Sequence, residues 1–279
     1  MMRIPAKVNQ AAAATVMALA TLLTLAVLIF IVVFILEKGL PILSRTFLFS
    51  VPRDMGKAGG IFPTILATII LPLLAIALAL PLGVGTAIYL TEYTRESRLT
   101  RIIRFGNDCL AGIPSIIFGL FGFLFFVTLL EMGWSLLSGG LTLALMILPT
   151  IIRTSEEAIK SVPTSYREVS FSLGATRWRT IQRVVLPNAL PGILTGVMLG
   201  IGRSIGETAA LIFTAGSSLR LPQSLFDSSR TMSVHFYILA REGLSTENAY
   251  GTAAVLILSV LSVNAVAYYL MHRYMKKNA

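Results

Sequence analysis

Two charged residues stand in the middle of an apolar stretch. Between Gly200 and Leu211 the chain reads GIGRSIGETAAL, and from Val184 to Leu219 the only charged side chains are Arg203 and Glu207. A spacing of four residues puts them on one face of a helix, a turn apart, where they can pair. Two chemistries fit. One is a structural ion pair that fixes helix packing. The other is an anion path. A guanidinium offers a rigid fork of donors that suits the oxygens of an anion such as phosphate, and it stays charged at any working pH. The carboxylate would hold it when no anion is present and limit its affinity, because a transport path must release what it binds.

The elements that position this pair follow from composition. The 279 residues are 55% hydrophobic and only 13% charged, with mean hydropathy +0.80; a soluble domain carries about twice that charge. A spanning helix needs about 20 apolar residues. Charge-free runs cover Val8–Leu36, Ala58–Thr91, Cys109–Leu130, Met132–Ile152 and Asn248–Met271, and the sixth is Val184–Leu219 with its two charges. Six transmembrane helices are therefore predicted. Pro72, Pro81, Pro114 and Pro149 fall inside them, which spanning helices tolerate when neighbours satisfy the freed carbonyls. Alternating ten-residue segments of a membrane β-barrel are absent from the sequence. The first run, at 29 residues, is too long for a signal peptide and reads as a retained helix. The single Cys109 excludes an internal disulfide and a cysteine zinc cluster, and is read as a small core residue.

The net charge of +10 reports orientation. With the N-terminus inside, as Arg3 and Lys7 favour, fifteen Lys and Arg lie in cytoplasmic segments and seven outside, with Arg203 in the membrane. That bias is the positive-inside rule, and a nucleic-acid partner is not needed to explain the charge.

The longest inner segment, 153–187, contains SYREVSFSLGATRWRTIQRVVLP from Ser165 to Pro187. Pro163 suits a helix start, and Ser165 with Glu168 has capping-box spacing. Tyr166, Val169 and Leu173 form one apolar face. Gly174 suits a C-terminal cap. Thr176 can cap a second helix bearing Trp178, Ile181 and Val185, with Pro187 stopping or bending it. The apolar face either packs on the bundle or offers a partner a docking knob.

These residues carry a resemblance. Glu168, Gly174 six residues on, then Val184, Leu186 and Pro187 resemble the EAA motif of ABC importer permeases, with Val169 and Ser170 in place of its alanines and Val184 in place of its isoleucine. In that family the loop docks on a cytoplasmic ATP-binding subunit, so the resemblance implies an ATPase-coupling role for Glu168, Gly174, Leu186 and Pro187. AIYLTEY (Ala87–Tyr93), IRFGNDCLAGIPSIIFGLF (Ile103–Phe121), PTIIRTSEEAIKSVP (Pro149–Pro163) and GRSIGETAALIFTAG (Gly202–Gly216) are similar to the PstA-type permeases of phosphate-specific ABC importers. This likeness implies an all-α membrane protein with the MetI-like type I importer fold. An N-terminal helix and outer loop, 1–57, would precede a five-helix permease core, 58–279. It also implies phosphate as cargo, with Arg203 and Glu207 on its pathway.

If the fifth helix runs Leu190–Gly216, Arg203 lies roughly 20 Å from each end, too deep to snorkel easily, and should face the bundle interior or a water-filled path. The same helix carries small residues every four positions, Gly192, Gly196, Gly200, Ser204 and Thr208. This ridge admits a close neighbour, within the subunit or across a subunit contact. Asn107–Asp108 is expected to cap the third helix, Glu156–Glu157 beside Arg153 to be a solvated cluster, and Pro114–Ser115 to mark a kink. His235 and His272 are isolated, and no spacing supports a metal site.

No G-x-x-x-x-G-K-[ST] loop is present in the sequence, so ATP is expected on a partner subunit, with no cofactor on this chain. The expected partners are a PstC-type permease forming a heterodimer, two ATP-binding subunits and an extracytoplasmic phosphate-binding protein, in the inner (plasma) membrane of a prokaryote with both termini cytoplasmic. A permease for another oxyanion such as sulfate or molybdate, an intramembrane enzyme using Glu207, and a membrane scaffold are the competing readings.

Overall fold

The computed structural model describes residues 6–278; Arg3 lies outside them. Helix α1, Ala6–Gly39, is followed by a short α2, Arg45–Phe49. A minimal antiparallel pair, β1 (Pro52–Arg53) and β2 (Ala58–Gly59), turns the chain into α3, Phe62–Ile88. A π turn over Tyr89–Tyr93 closes that span. Next come α4, Arg98–Ala111, and α5, Ser115–Gly122, which a second π turn extends to Leu129. Helix α6, Leu136–Ser161, leads to the short pair α7, Thr164–Ser172, and α8, Arg177–Thr180. A third π turn, Ile181–Val185, runs into α9, Leu186–Gly206. Helices α10, Ala209–Thr214, and α11, Met232–Arg241, precede the long α12, Thr246–Asn278.

Among the described residues, five helical stretches are long and apolar enough to cross a membrane. A sixth crossing results if α4 and α5 with its extension, bent by 99° to each other, count as one. The third span expected over Cys109–Leu130 is thus shorter. The chain turns at Gly112–Pro114, where Pro114, lacking an N–H, starts α5. Cys109 lies on α4 and is exposed, not in the core. Asn107 and Asp108 sit inside α4 rather than capping a helix, and the Asn107 amide donates to Pro149 O at 3.3 Å. The cap of α4 is instead Ser97, in a reciprocal box with Thr100.

Helix α6 is the centre of the bundle. Two thirds of its spanning window, 67%, is buried, against 0% for α1. Ala67, Leu71, Ala75 and Ala79 of α3 meet Leu143, Met146, Ile147 and Ile151 of α6 in the main apolar cluster. A second cluster joins Ala87, Ala158, Ile159, Val162, Val185, Ala189 and Ile193, so the ends of α3 and α6 and the start of α9 form one packed body. Helix α1 packs chiefly along α12 and leaves Val16, Leu23 and Phe30 exposed, as a lipid-facing helix does.

Candidate functional site

The stretch around Arg203 and Glu207 is not one helix. Helix α9 ends at Gly206, and Glu207 takes an extended conformation, φ −69° and ψ 130°. The expected helix Leu190–Gly216, with Arg203 at its middle and Glu207 a turn above on the same face, is corrected. The crossing helix runs Arg177–Gly206, and Arg203 lies in its last turn. Neither residue has an ion-pair partner among the described residues.

Each charge answers to a helix end. Arg203 stands where the negative pole of α9 favours a cation. Glu207 is buried, and its Oε1 accepts the Ala210 N–H at 3.0 Å, at the start of α10 where the positive pole favours a carboxylate. The Glu207 N–H bonds Ser204 O at 3.3 Å, and its carbonyl accepts the Ser233 hydroxyl at 2.6 Å. This carboxylate is held by backbone and does not restrain Arg203. The guanidinium is exposed and unbonded. Gly206, three residues on and so on a neighbouring part of the helix surface, lines a 610 Å³ hollow with Thr208, Tyr237 and Arg241. An oxyanion meeting Arg203 would find five free donors in a planar fork.

The small-residue ridge lies against α6 of the same chain. A Cβ on Gly192 would come 2.5 Å from the Ala158 Cβ, and one on Gly196 would overlap the Thr154 hydroxyl. Gly200 has more room, its nearest neighbour being Ile76 Cδ1 at 3.4 Å. Ser204 is buried with no hydrogen bond to its hydroxyl. Thr208 falls beyond the break, where its hydroxyl reaches Gly206 O at 3.4 Å.

The segment between α6 and α9 folds as two short helices around a glycine. Gly174 has φ +78°, the left-handed region that glycine occupies without penalty. Its N–H bonds Phe171 O at 2.9 Å and the Ala175 N–H bonds Ser170 O at 3.1 Å, the double closure of a Schellman cap. Thr176 caps α8, its hydroxyl accepting the Arg179 N–H at 3.4 Å. The capping box at Ser165 and Glu168 does not form, because α7 starts at Thr164 directly after Pro163 and Ser165 is already inside the helix. Pro187 neither stops nor bends the chain into a new segment. The π turn before it lets the Leu186 N–H reach back to Ile181 O, and the helix continues through Pro187. Glu168 and Pro187 are exposed and Leu186 half-buried. The apolar face does not pack on the bundle: Val169 is 61% exposed, Leu173 83% and Trp178 52%. Ile181 and Val185, one turn further, are fully buried.

Three polar groupings escape the sequence pattern. Glu156 is buried, not solvated. It contacts Arg104 of α4 at 2.7 Å and Lys160 at 2.6 Å, and Arg104 also grips Glu96. Glu157 stays exposed, paired with Arg153 at 3.3 Å. Glu92, in the π turn after α3, accepts from Arg167 of α7. On the segment after α10, Arg230 is buried against His235, Nη1 to Nδ1 3.3 Å, and its Nε donates to Ser217 O at 3.1 Å. Burial first, then the Arg230 charge, holds the His235 imidazole down at about 4. His235 is therefore a packed neutral side chain. Among the described residues no cluster of His, Cys, Asp and Glu could hold a metal ion.

A bundle of five or six candidate crossings about α6, with a largely exposed helix pair between two late spans, is the architecture of an integral membrane protein. The chain belongs to the family of binding-protein-dependent transport system inner membrane components, matching it over residues 79–277. It is accordingly an integral inner-membrane protein. It is 33% identical to a probable ABC transporter permease protein, YqgI, of Bacillus subtilis, over 85% of this chain and 86% of that one. It is 32% identical to the phosphate transport system permease protein PstA of Pasteurella multocida, over 84% of each. Among solved structures, a bacterial ABC transporter that imports alginate superposes with TM-score 0.71 at 15% identity, over 96% of this chain and 97% of that one. The MetNI methionine ABC transporter superposes at 0.61 with 20% identity, over 77% and 94%. The fold is thus that of a MetI-like ABC importer permease.

Proposed function

We propose that this chain is a PstA-type permease subunit, one half of the membrane pore of an ABC importer that moves inorganic phosphate into the cytoplasm. The observation that carries the substrate is the likeness to phosphate permeases over most of the chain. The unbonded Arg203 at the helix break supports it, because a guanidinium free of any carboxylate is available to an anion. A PstC-type permease forms the other half of the pore, and two ATP-binding subunits bind the exposed coupling helices. An extracytoplasmic phosphate-binding protein delivers cargo to the opposite end. Both termini lie in the cytoplasm.

In this reading Glu168, Val169, Leu173 and Trp178 face the ATPase, with Gly174, Leu186 and Pro187 shaping the lobe. ATP-driven closure moves α7 and α8 and tilts the bundle from inward-open to outward-open. Arg203 and Glu207 border the path: the arginine meets phosphate, and the carboxylate fixes the broken backbone beside it. ATP chemistry stays with the partner, and this chain carries no cofactor.

Phosphate uptake by cells that depend on this chain tests the reading, comparing wild type with Arg203→Gln and checking assembly by pull-down. The expected result is uptake lost, by about tenfold or more for a charge-assisted contact, with the complex intact. Retained uptake removes Arg203 from the path. Wild-type uptake of sulfate but not phosphate would overturn the substrate.

A further inference from the structure

Helix α7 is loosely attached for an element that must carry force. Of its nine residues only Ser170 is buried, and the Ser170 hydroxyl bonds Thr180 of α8, inside the same lobe. Tyr166, Val169 and Phe171 are exposed. The side chain of α7 that makes polar contact with the spans is Arg167, which donates four bonds to groups outside α7 and α8, three of them to the spans. Nε and Nη2 donate to Glu92 Oε1 at 3.0 and 2.6 Å. Nη1 donates to Val162 O at 2.7 Å and Nη2 to Ile159 O at 3.0 Å. Both side chains are largely enclosed, with 16% and 10% of their surfaces exposed.

The partners come from two different spans. Ile159 lies in the last turn of α6, where its carbonyl also accepts the capping Val162 N–H at 3.3 Å, and Val162 follows the helix directly. Glu92 closes the span Phe62–Tyr93, which is joined to α7 by no short connection. A second contact repeats the pattern, with the Arg177 guanidinium of α8 5.8 Å over the Tyr93 ring. The end of that span therefore reaches both helices of the lobe. Chain connectivity passes motion of the lobe to α6 and α9, and the end of the span Phe62–Tyr93 packs on both of them. The planar fork of Arg167 ties that span to α7 directly, in a geometry that a lysine ammonium cannot reproduce.

We propose that Arg167 is a positioning residue for transport: by clamping α7 to Glu92 and to the carbonyl end of α6, it makes the coupling helix and the span Phe62–Tyr93 move as one piece. The proposal rests on the ATP-driven permease reading above. It requires the Arg167–Glu92 contact to persist through the ATPase cycle.

Two readouts on the full importer in lipid bilayers test it. The first places spin labels at Ser165→Cys on α7 and Leu82→Cys on the exposed side of α3, in a Cys109→Ser background. Distances are compared between nucleotide-free and vanadate-trapped complexes. The wild-type contact predicts the same distribution in both states, and Arg167→Met a distribution that shifts on trapping. A wild-type pair that separates on trapping overturns the proposal, and this arm needs neither a foldable variant nor a known cargo. The second compares ATP hydrolysis with phosphate uptake. Arg167→Met is expected to hydrolyse ATP while uptake falls by about tenfold or more, and Glu92→Asp, which keeps the charge, to retain more uptake than Glu92→Gln. Uptake at the wild-type ratio in Arg167→Met overturns the proposal. Failure of the wild-type complex to take up phosphate counts against the substrate alone, because the label distances still decide the clamp.

Discussion

Alanine at Gly196 and alanine at Gly200 should move stability in opposite directions, although the two residues share one ridge against α6. At Gly196 the new methyl would overlap the Thr154 hydroxyl and lie 2.9 Å from the Thr154 Cβ. Thr154 cannot easily yield. Its hydroxyl is bonded to Thr150 O at 2.9 Å and Ile151 O at 3.3 Å, and a β-branched side chain on a helix has few rotamers. Overpacking of this kind costs about 1–3 kcal/mol, only partly offset by the roughly 1 kcal/mol gained when alanine replaces glycine in a helix. At Gly200 the nearest atoms are the Ile76 Cδ1 at 3.4 Å and the Ile147 Cδ1 at 3.6 Å, ordinary contacts with flexible side-chain tips. There the helix-propensity gain stands almost alone. The two variants should differ by roughly 1–3 kcal/mol. At about 2–4 °C per kcal/mol for a protein of this size, that separates their melting points by several degrees. Apparent Tm of the purified subunit in detergent, at one scan rate because such unfolding is commonly irreversible, measures it. Thr154→Ala added to Gly196→Ala should recover part of the loss. Equal shifts for the two glycines would refute this account of the interface.

The remaining predictions concern the two ends of the bundle. His235 is neutral when folded, so the unfolded chain binds the extra proton below pH 6.5. Stability should be constant above that pH and fall by roughly 3 kcal/mol as pH drops toward 4. Proteolysis of the 217–247 segment against pH reads the effect, and a profile unchanged by His235→Gln would contradict it. Gly174→Ala, forced to φ +78°, should cost about 1 kcal/mol at the lobe and weaken ATPase co-purification without removing the subunit from the membrane. Unaltered co-purification would show that the turn tolerates a side chain.

Long apolar runs declared the spans because a membrane crossing is decided by length and charge, both local properties. The apolar face of α7 and the glycine turn were legible for the same reason: cap residues and apolar spacing act within a few positions, whereas whether that face packs on the bundle was not. Helix α4 begins outside the charge-free runs, because Arg98, Arg101 and Arg104 interrupt them. Its signal was the other period, Leu99, Ile102 and Phe105 recurring against those arginines. The break at Gly206 has no proline to announce it. It depends on contacts from afar, the Ser233 hydroxyl on the Glu207 carbonyl being 26 residues distant. The Glu92–Arg167 contact spans 75 residues, and no periodicity within one helix can register it. Pairing Arg203 with Glu207 failed because four-residue spacing implies proximity only while the helix lasts.

Three of the long helices carry a π turn, and each holds one residue more than an α-helix would use. Thr94 N–H reaches Tyr89 O, Leu130 N–H reaches Phe125 O and Leu186 N–H reaches Ile181 O, each five residues back. Elsewhere in a span, removing one residue would rotate everything on one side by about 100° and carry its buried face out into lipid. In a π turn the same removal restores ordinary helical bonding and leaves both flanks facing as before. Length variation in this chain should therefore be tolerated inside the span Arg177–Gly206 at Ile181–Val185, the π turn with helix on both sides, whereas the turns at Tyr89–Tyr93 and Phe123–Leu129 end their helices.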